Sequence, residues 1–134
     1  MQKVFVDTNY FLRFFLKDIY EQHDKAKFLF IQGAEKKLLL LTSIIVVFEL
    51  HWVLKSHYQK EKQEIVTVLR DVLSMDFIDL PEREDLRDAV LFFDTTNLSL
   101  EDCYHLIFSK KNNASRLASF DKKLQRAFKQ HEEK

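Results

Sequence analysis

Short apolar runs alternate with longer amphipathic segments along the whole of this sequence. Four runs have the length and composition of buried strands, namely residues 2–6, 37–42, 76–81 and 115–120. Helical periodicity dominates the segments that follow each run. Strands that alternate with helices are typical of a parallel sheet, because the chain must cross over between successive parallel strands. The pattern predicts an α/β fold with a central parallel sheet of four strands, covered by helices on both sides.

The helical segments carry different amounts of apolar surface. The segment SIIVVFELHWVLKSHY, which starts at Ser43, is apolar nearly all round and is predicted to be a buried helix. Residues 131–134 are expected to fray. We predict further helices from Thr8 to Lys17, over 20–37, 60–74 and 82–96, from Ser99 onward, and directly after the fourth strand.

Composition sets limits on the class of protein. The chain has 134 residues and equal numbers of basic and acidic side chains, 21 of each. This length suits a single domain, 1–134, and a neutral chain can bind nucleic acid only through a local basic patch. The single cysteine, Cys103, excludes a disulfide framework. No segment has the length and composition of a signal peptide or membrane span, so we expect a cytoplasmic protein.

Four carboxylates occupy comparable places in the predicted elements. Asp7 follows the first strand, and Asp121 follows the fourth. Glu49 lies in the helix after the second strand, and Asp102 lies in the first turn of a later helix. Ligands bind at the carboxyl ends of the strands in open parallel sheets. We therefore expect Asp7 and Asp121 to meet at one edge if their strands are neighbours.

Each acid also has an explanation that involves no ligand. Asp7 and Asp121 can cap the helices that they precede, and Asp102 stands where a capping box would place it. Glu49 lies in mid-helix, where no cap is needed. A carboxylate predicted to be buried there needs an ion-pair partner such as Arg13, a hydrogen-bond network, an edge open to water, or a metal ion.

Together, the four acids suggest a metal site. Carboxylates gathered in one cleft repel one another, and a divalent cation offsets that charge. Mg²⁺ and Mn²⁺ prefer oxygen ligands. A cation held in this way can lower the pKa of water and stabilise the charge that develops on a phosphodiester. Such a site would suit a nuclease in which activated water attacks phosphorus in line, without a covalent enzyme intermediate.

Four segments resemble the signature segments of PIN domains, in the same order. They are VDTNYFLRFFL, FELHWVLKSHY, SLEDCYHL and ASFDKKL, and their spacing is particularly similar to that of the VapC toxins of type II toxin–antitoxin systems. The resemblance implies a three-layer α/β/α sandwich, with a fifth strand where one follows the final helix. It also implies a Mg²⁺- or Mn²⁺-dependent endoribonuclease that forms a homodimer and is inhibited by a cognate antitoxin.

The same resemblance assigns roles to individual residues. It implies that Asn9 and Ser119 support the site. Basic side chains near the last acid could guide RNA toward it, although a solvated helix face explains them equally well; they include Arg116, Lys122 and Lys123. By this resemblance the metal ligands and catalytic residues are Asp7, Glu49, Asp102 and Asp121.

Three functional hypotheses follow. The first is a VapC-type endoribonuclease, and the second is an RNA-processing PIN nuclease outside a toxin–antitoxin pair. The third is a non-catalytic α/β binding module whose acids are helix caps and ion pairs. A nuclease requires the acids to converge on a cation, whereas the module requires each acid to bond only to its own surroundings.

Overall fold

A parallel sheet of three strands and seven helices make up residues 1–132, the part of the chain that the computed structural model describes. The chain divides into two compact units, Met1–Arg83 and Glu84–Lys134. In chain order the elements are β1 (Lys3–Phe5), α1 (Thr8–Leu16), α2 (Tyr20–Ala34), β2 (Leu39–Leu41), α3 (Ile44–Ser56), α4 (Lys62–Leu73), β3 (Ile78–Asp79), α5 (Arg83–Thr95), α6 (Leu100–Lys111) and α7 (Lys122–Glu132).

The sheet lies entirely in the first unit and has the order β1-β2-β3. Both pairings are parallel, with Val4 opposite Leu40 and Leu40 opposite Ile78. The predicted parallel sheet is thus confirmed for the first three apolar runs, although each strand is shorter than its run. The α/β class is confirmed with it.

The predicted fourth strand over 115–120 is not formed, so the described residues contain three strands rather than four. Side-chain hydrogen bonds occupy the backbone groups that a sheet would need. Gln125 Nε2 donates to the carbonyl oxygens of Leu117 at 2.7 Å and Ser119 at 2.9 Å. The final helix extends through Glu132, so the predicted fraying is wrong at His131 and Glu132. Residues 133–134, the rest of the segment expected to fray, lie outside the described residues, and the part of 125–134 that is described forms helix rather than a fifth strand.

Close packing of α2 on β2 explains why the only glycine of the chain lies at position 33. A Cβ atom there would lie 2.8 Å from Leu40 Cγ and 3.2 Å from Phe77 Cδ2. Real Cβ atoms essentially never come within 3.0 Å of another atom, and a contact of 3.2 Å is already tighter than most. Gly33 therefore lets the helix approach the central strand, whose Leu40 is buried.

The α3 helix is buried on one side only, which corrects the prediction of a buried helix. Val47, Leu50 and Leu54 lie in the interior. On the opposite side, Ile45 is 67% exposed and Trp52 is 63% exposed. A helix that is apolar nearly all round does not reveal in its sequence which side faces solvent. Among the described residues, no helix has both the length and the apolar character needed to cross a bilayer.

Candidate functional site

Asp7 lies directly beyond the carboxyl end of β1. The pairing of β1 with β2 continues past the strand ends, because Val6 N donates to Leu41 O and Thr42 Oγ1 donates to Val6 O, both at 2.8 Å. Asp7 follows in an extended conformation at the N-cap position of α1. Its exposed carboxylate makes no capping hydrogen bond. The capping explanation is therefore wrong for Asp7, and its oxygens remain available to a ligand.

Glu49 reaches the same part of the first unit from α3. This helix begins just beyond β2, where Ser43 Oγ accepts a hydrogen bond from Val46 N at 3.3 Å. Glu49 is exposed rather than buried, and its Oε2 accepts a hydrogen bond from Thr8 Oγ1 at 3.0 Å. Thr8 is buried and directly follows Asp7. The structure thus links Glu49 to the residue beside Asp7.

Arg13, a possible ion-pair partner of Glu49 in the sequence, binds elsewhere. Its Nη1 pairs with Asp18 Oδ2 at 3.1 Å, and its Nη2 donates to the Tyr58 hydroxyl at 2.6 Å. Asn9 lines a cavity of about 330 Å³ between α1 and α2. Within the described residues the Asn9 side chain makes no hydrogen bond to Asp7 or to Glu49, so its supporting role remains a prediction.

Asp102 lies in the first turn of α6 in the second unit. Ser99 caps this helix, because its Oγ accepts a hydrogen bond from Asp102 N at 3.1 Å. This is half of the predicted capping box. The half-buried Asp102 carboxylate makes no return bond in the part of the chain that the structure describes. Its oxygens are therefore also available to a ligand.

Asp121 does cap the helix that follows it. Its Oδ1 accepts hydrogen bonds from Lys123 N at 2.9 Å and Leu124 N at 3.1 Å. Ser119 Oγ in turn accepts from Asp121 N at 3.0 Å, so Ser119 helps to fix the backbone that carries the acid. The second carboxylate oxygen, Oδ2, has no hydrogen bond among residues 1–132. A capping aspartate of this kind can still offer one oxygen to a cation.

The sequence analysis did not predict two residues that hold candidate acids or the backbone before them. Thr8 binds Glu49, and Gln125 holds the segment that precedes Asp121. The signal available in the sequence was position: Thr8 is adjacent to Asp7, and Gln125 lies about one helical turn after Asp121. Neither signal is specific, because threonine and glutamine are common at such positions for other reasons.

The predicted RNA contacts are all exposed. Arg116 lies in the irregular segment before α7, and Lys122 is the first residue of that helix. Lys123 Nζ donates to the backbone carbonyl of Asn97 at 2.8 Å. Their exposure makes them accessible to a polyanion, and contact with RNA remains a prediction.

The donor set suits a hard divalent cation. Every candidate ligand is a carboxylate, and Mg²⁺ and Mn²⁺ prefer oxygen donors. Two carboxylates, Asp7 and Asp102, accept no hydrogen bond from the described residues, and Glu49 and Asp121 each retain an oxygen without one. Within the described residues, neither unit taken by itself brings together three or more His, Cys, Asp or Glu side chains that could hold a metal.

The fold is that of an α/β protein with a parallel sheet, and the exposed Asp7 carboxylate lies beyond the carboxyl end of β1, where open sheets of this class bind their ligands. The sequence matches the PIN domain over residues 4–129, nearly its whole length, and the chain belongs to the PIN domain family. PIN domains are generally metal-dependent nucleases and usually use divalent ions. A comparison with curated proteins found no significant match.

Proposed function

We propose that this protein is an endoribonuclease that hydrolyses RNA phosphodiester bonds with the help of Mg²⁺ or Mn²⁺. The observation that carries the proposal is the Asp7 carboxylate, which occupies a cap position without capping the helix. A capping aspartate stabilises a helix by roughly 1 kcal/mol. The Asp7 side chain does not make this contribution, and it remains exposed beside the Thr8–Glu49 hydrogen bond. A role in binding explains both features.

The proposed metal ligands and catalytic residues are Asp7, Glu49, Asp102 and Asp121. When bound, a divalent cation would supply positive charge at the phosphate and lower the pKa of water. The free carboxylate oxygens accept hydrogen bonds from the attacking water and orient it in line with the P–O bond that breaks. No nucleophile of the protein enters the reaction, so no covalent enzyme intermediate forms.

The remaining side chains of the proposed site hold these acids in place or attract the substrate. Thr8 orients one oxygen of Glu49, and Ser119 fixes the backbone at Asp121. Asn9 has the supporting role that its place in the signature segment suggests. Exposed basic residues draw in the RNA backbone by charge, as cations do for phosphates; we assign this role to Arg116, Lys122 and Lys123.

For the biological role we propose the toxin of a VapBC-type pair, acting in the cytoplasm and inhibited by a cognate antitoxin. The similarity of the four signature segments to VapC toxins supports this assignment. The exposed side chains of Ile45 and Trp52 on α3 support a homodimer or antitoxin contact, because exposed apolar surface commonly marks a partner site. A single domain with three α/β/α layers is part of the same proposal.

The decisive experiment is a cleavage assay with purified protein free of any inhibitor. Single-stranded and structured RNAs are incubated with Mg²⁺, with Mn²⁺, or with a chelator, and Asp7→Asn serves as the inactive variant. We expect cation-dependent fragments from the wild type alone. If the wild type cleaves neither class of RNA and Mn²⁺ leaves its melting temperature unchanged, a non-catalytic binding module is the better interpretation.

The toxin assignment has its own test. Expression of the wild type in bacterial cells should arrest growth, whereas expression of Asp7→Asn should not. RNA cleavage in vitro without growth arrest in cells would support a nuclease that processes RNA outside a toxin–antitoxin pair.

A further inference from the structure

The second unit contains a groove of about 430 Å³ between the end of α5, the turn that follows it, and α7. Its volume lies within the usual range for small-molecule sites. Basic, amide, hydroxyl, aromatic and small apolar side chains line it, and none of the lining side chains that the structure describes is a carboxylate. The lining residues that bear on ligand binding are Phe92, Asn97, Lys123, Arg126, Gln130 and His131.

Two cationic side chains of the groove have N–H groups that form no hydrogen bond with the described residues. Lys123 Nζ donates to Asn97 O at 2.8 Å, which fixes the ammonium and leaves two of its three N–H groups for a ligand. Arg126 lies three residues further along α7 and is exposed. Its guanidinium forms no ion pair or hydrogen bond with the described residues. The groove therefore offers a positioned ammonium and a free guanidinium, a combination suited to phosphate.

The charge of α7 favours the same ligand. The helix carries four lysine or arginine side chains and one acid, Glu132, at its last position. A larger groove of about 810 Å³ in the same unit is less suitable, because Asp85 and Asp88 line it. One of its lysines, Lys111, is already paired with Asp85 Oδ1 at 2.5 Å. A phosphate would meet repulsion there and attraction in the smaller groove.

Lys123 connects the smaller groove to Asp121. The backbone N–H of Lys123 binds Asp121 Oδ1 at 2.9 Å, while the side chain of the same residue lines the groove. A group bound in the groove is therefore held by a residue that also contacts a proposed catalytic acid. Phe120, which directly precedes Asp121, is fully exposed. Basic grooves accompanied by aromatic side chains are typical of single-stranded nucleic-acid sites.

We propose that this groove binds one nucleotide of the RNA next to the cleaved bond. Lys123 and Arg126 hold its phosphate, and the Asn97 and Gln130 side chains lie where they can bind the sugar or base. The ring of Phe92 gives the groove an apolar surface, with its centroid 5.4 Å from that of His131. This inference rests on the proposed function, since it assigns a substrate contact to the same reaction.

The test measures RNA affinity rather than cleavage. A fluorescently labelled single-stranded RNA is titrated with the Asp7→Asn protein in the presence of a chelator, so that no cleavage occurs. Arg126→Gln is compared in that background with Lys129→Gln, which removes the same charge from the same helix at an exposed position outside the groove.

We expect Arg126→Gln to weaken binding about tenfold and Lys129→Gln to weaken it less than about threefold. Loss of one phosphate contact should also make the slope of log affinity against log salt shallower by about 0.7. Arg126→Lys should retain most of the affinity, because it keeps the charge. Melting temperatures should match in all variants, since these side chains are exposed.

Equal losses in Arg126→Gln and Lys129→Gln, or no binding by the Asp7→Asn parent, would overturn the inference. Equal losses together with cation-dependent cleavage by the wild type would leave the proposed function intact. If RNA affinity depends on Arg126 but the wild type never cleaves RNA, the groove is an RNA-binding site and the proposed nuclease activity is wrong.

Discussion

Thr8 Oγ1 donates a hydrogen bond of 3.0 Å to Glu49 Oε2, joining two residues 41 positions apart in the chain. Thr8 is buried, whereas Glu49 is exposed. An exposed glutamate samples many rotamers, and fixing one costs conformational entropy. The buried hydroxyl therefore restricts an otherwise mobile carboxylate, and it does so beside Asp7. Thr8 is a positioning residue in the proposed nuclease.

Replacing Thr8 with valine removes the donor and keeps the shape of the side chain. We expect Thr8→Val to lower kcat about 10- to 100-fold, as the loss of groups that orient metal ligands does, with KM for RNA unchanged. The free energy of unfolding should fall by about 1 kcal/mol. Steady-state cleavage kinetics and chemical denaturation measure the two effects. Thr8→Ser should restore activity; if Thr8→Val cleaves RNA as fast as Thr8→Ser, the hydroxyl has no positioning role.

Substituting Asp7 should separate activity from stability. We expect Asp7→Asn to reduce cleavage by more than about a hundredfold, because a lost ligand should cost at least as much as a lost outer-shell group. Its free energy of unfolding should stay within about 0.5 kcal/mol of the wild type, since the carboxylate is exposed and caps nothing. RNA cleavage and thermal melts provide both values. A variant that cleaves normally would remove Asp7 from the site.

Asp121 combines capping with its proposed role as a ligand, and two substitutions distinguish these contributions. Asparagine is a good N-cap, so Asp121→Asn should preserve stability and still abolish cleavage. Asp121→Ala should abolish cleavage and also cost about 1 kcal/mol, because the bonds from Lys123 N and Leu124 N to the side chain are lost. Unfolding curves of both variants test this. Full activity in Asp121→Asn would make Asp121 a cap only.

These two aspartates illustrate what the sequence could and could not predict. Both follow predicted strands and precede helices, and the pattern is the same for both. Capping depends on the side-chain rotamer and the local backbone, so Asp121 caps and Asp7 does not. Glu49 was predicted to be buried because its neighbours are apolar. The exposed side of α3 could not be identified from a helix that is apolar nearly all round.

The strands show the same limit. Periodicity located β1, β2 and β3 correctly, because continuous apolar runs bounded by polar residues are reliable local signals. The run over 115–120 carries a similar signal, but an amide from α7 occupies the carbonyls of Leu117 and Ser119. That competition involves a residue later in the chain and is not visible in the run itself.

Binding of Mn²⁺ should stabilise the native protein. A ligand present at 100 times its Kd adds about 2.7 kcal/mol to the free energy of unfolding when it binds only the native state. We expect Mn²⁺ to raise the melting temperature of the wild type and to leave that of Asp7→Asn unchanged. Asp24→Asn, which changes an exposed acid on α2 outside the site, is the matched control and should keep the shift. Equal shifts in all three proteins would indicate nonspecific binding.

Gln125 should position Asp121 through the segment that precedes it. Its Nε2 donates to Leu117 O and Ser119 O, and Ser119 Oγ accepts from Asp121 N. Gln125→Leu removes both donors, so we expect residues 115–120 to exchange their amide hydrogens faster and cleavage to fall about tenfold. Hydrogen exchange and cleavage kinetics measure the two effects.

A control distinguishes this positioning role of Gln125 from a general loss of stability. Gln32→Leu makes the same change at a half-buried position on α2 and should alter neither measurement. The affinity for Mn²⁺ adds a readout that depends on the acid itself: it should fall in Gln125→Leu and remain unchanged in Gln32→Leu. If residues 115–120 loosen while cleavage and Mn²⁺ affinity stay at the wild-type level, the segment supports α7 without contributing to the site.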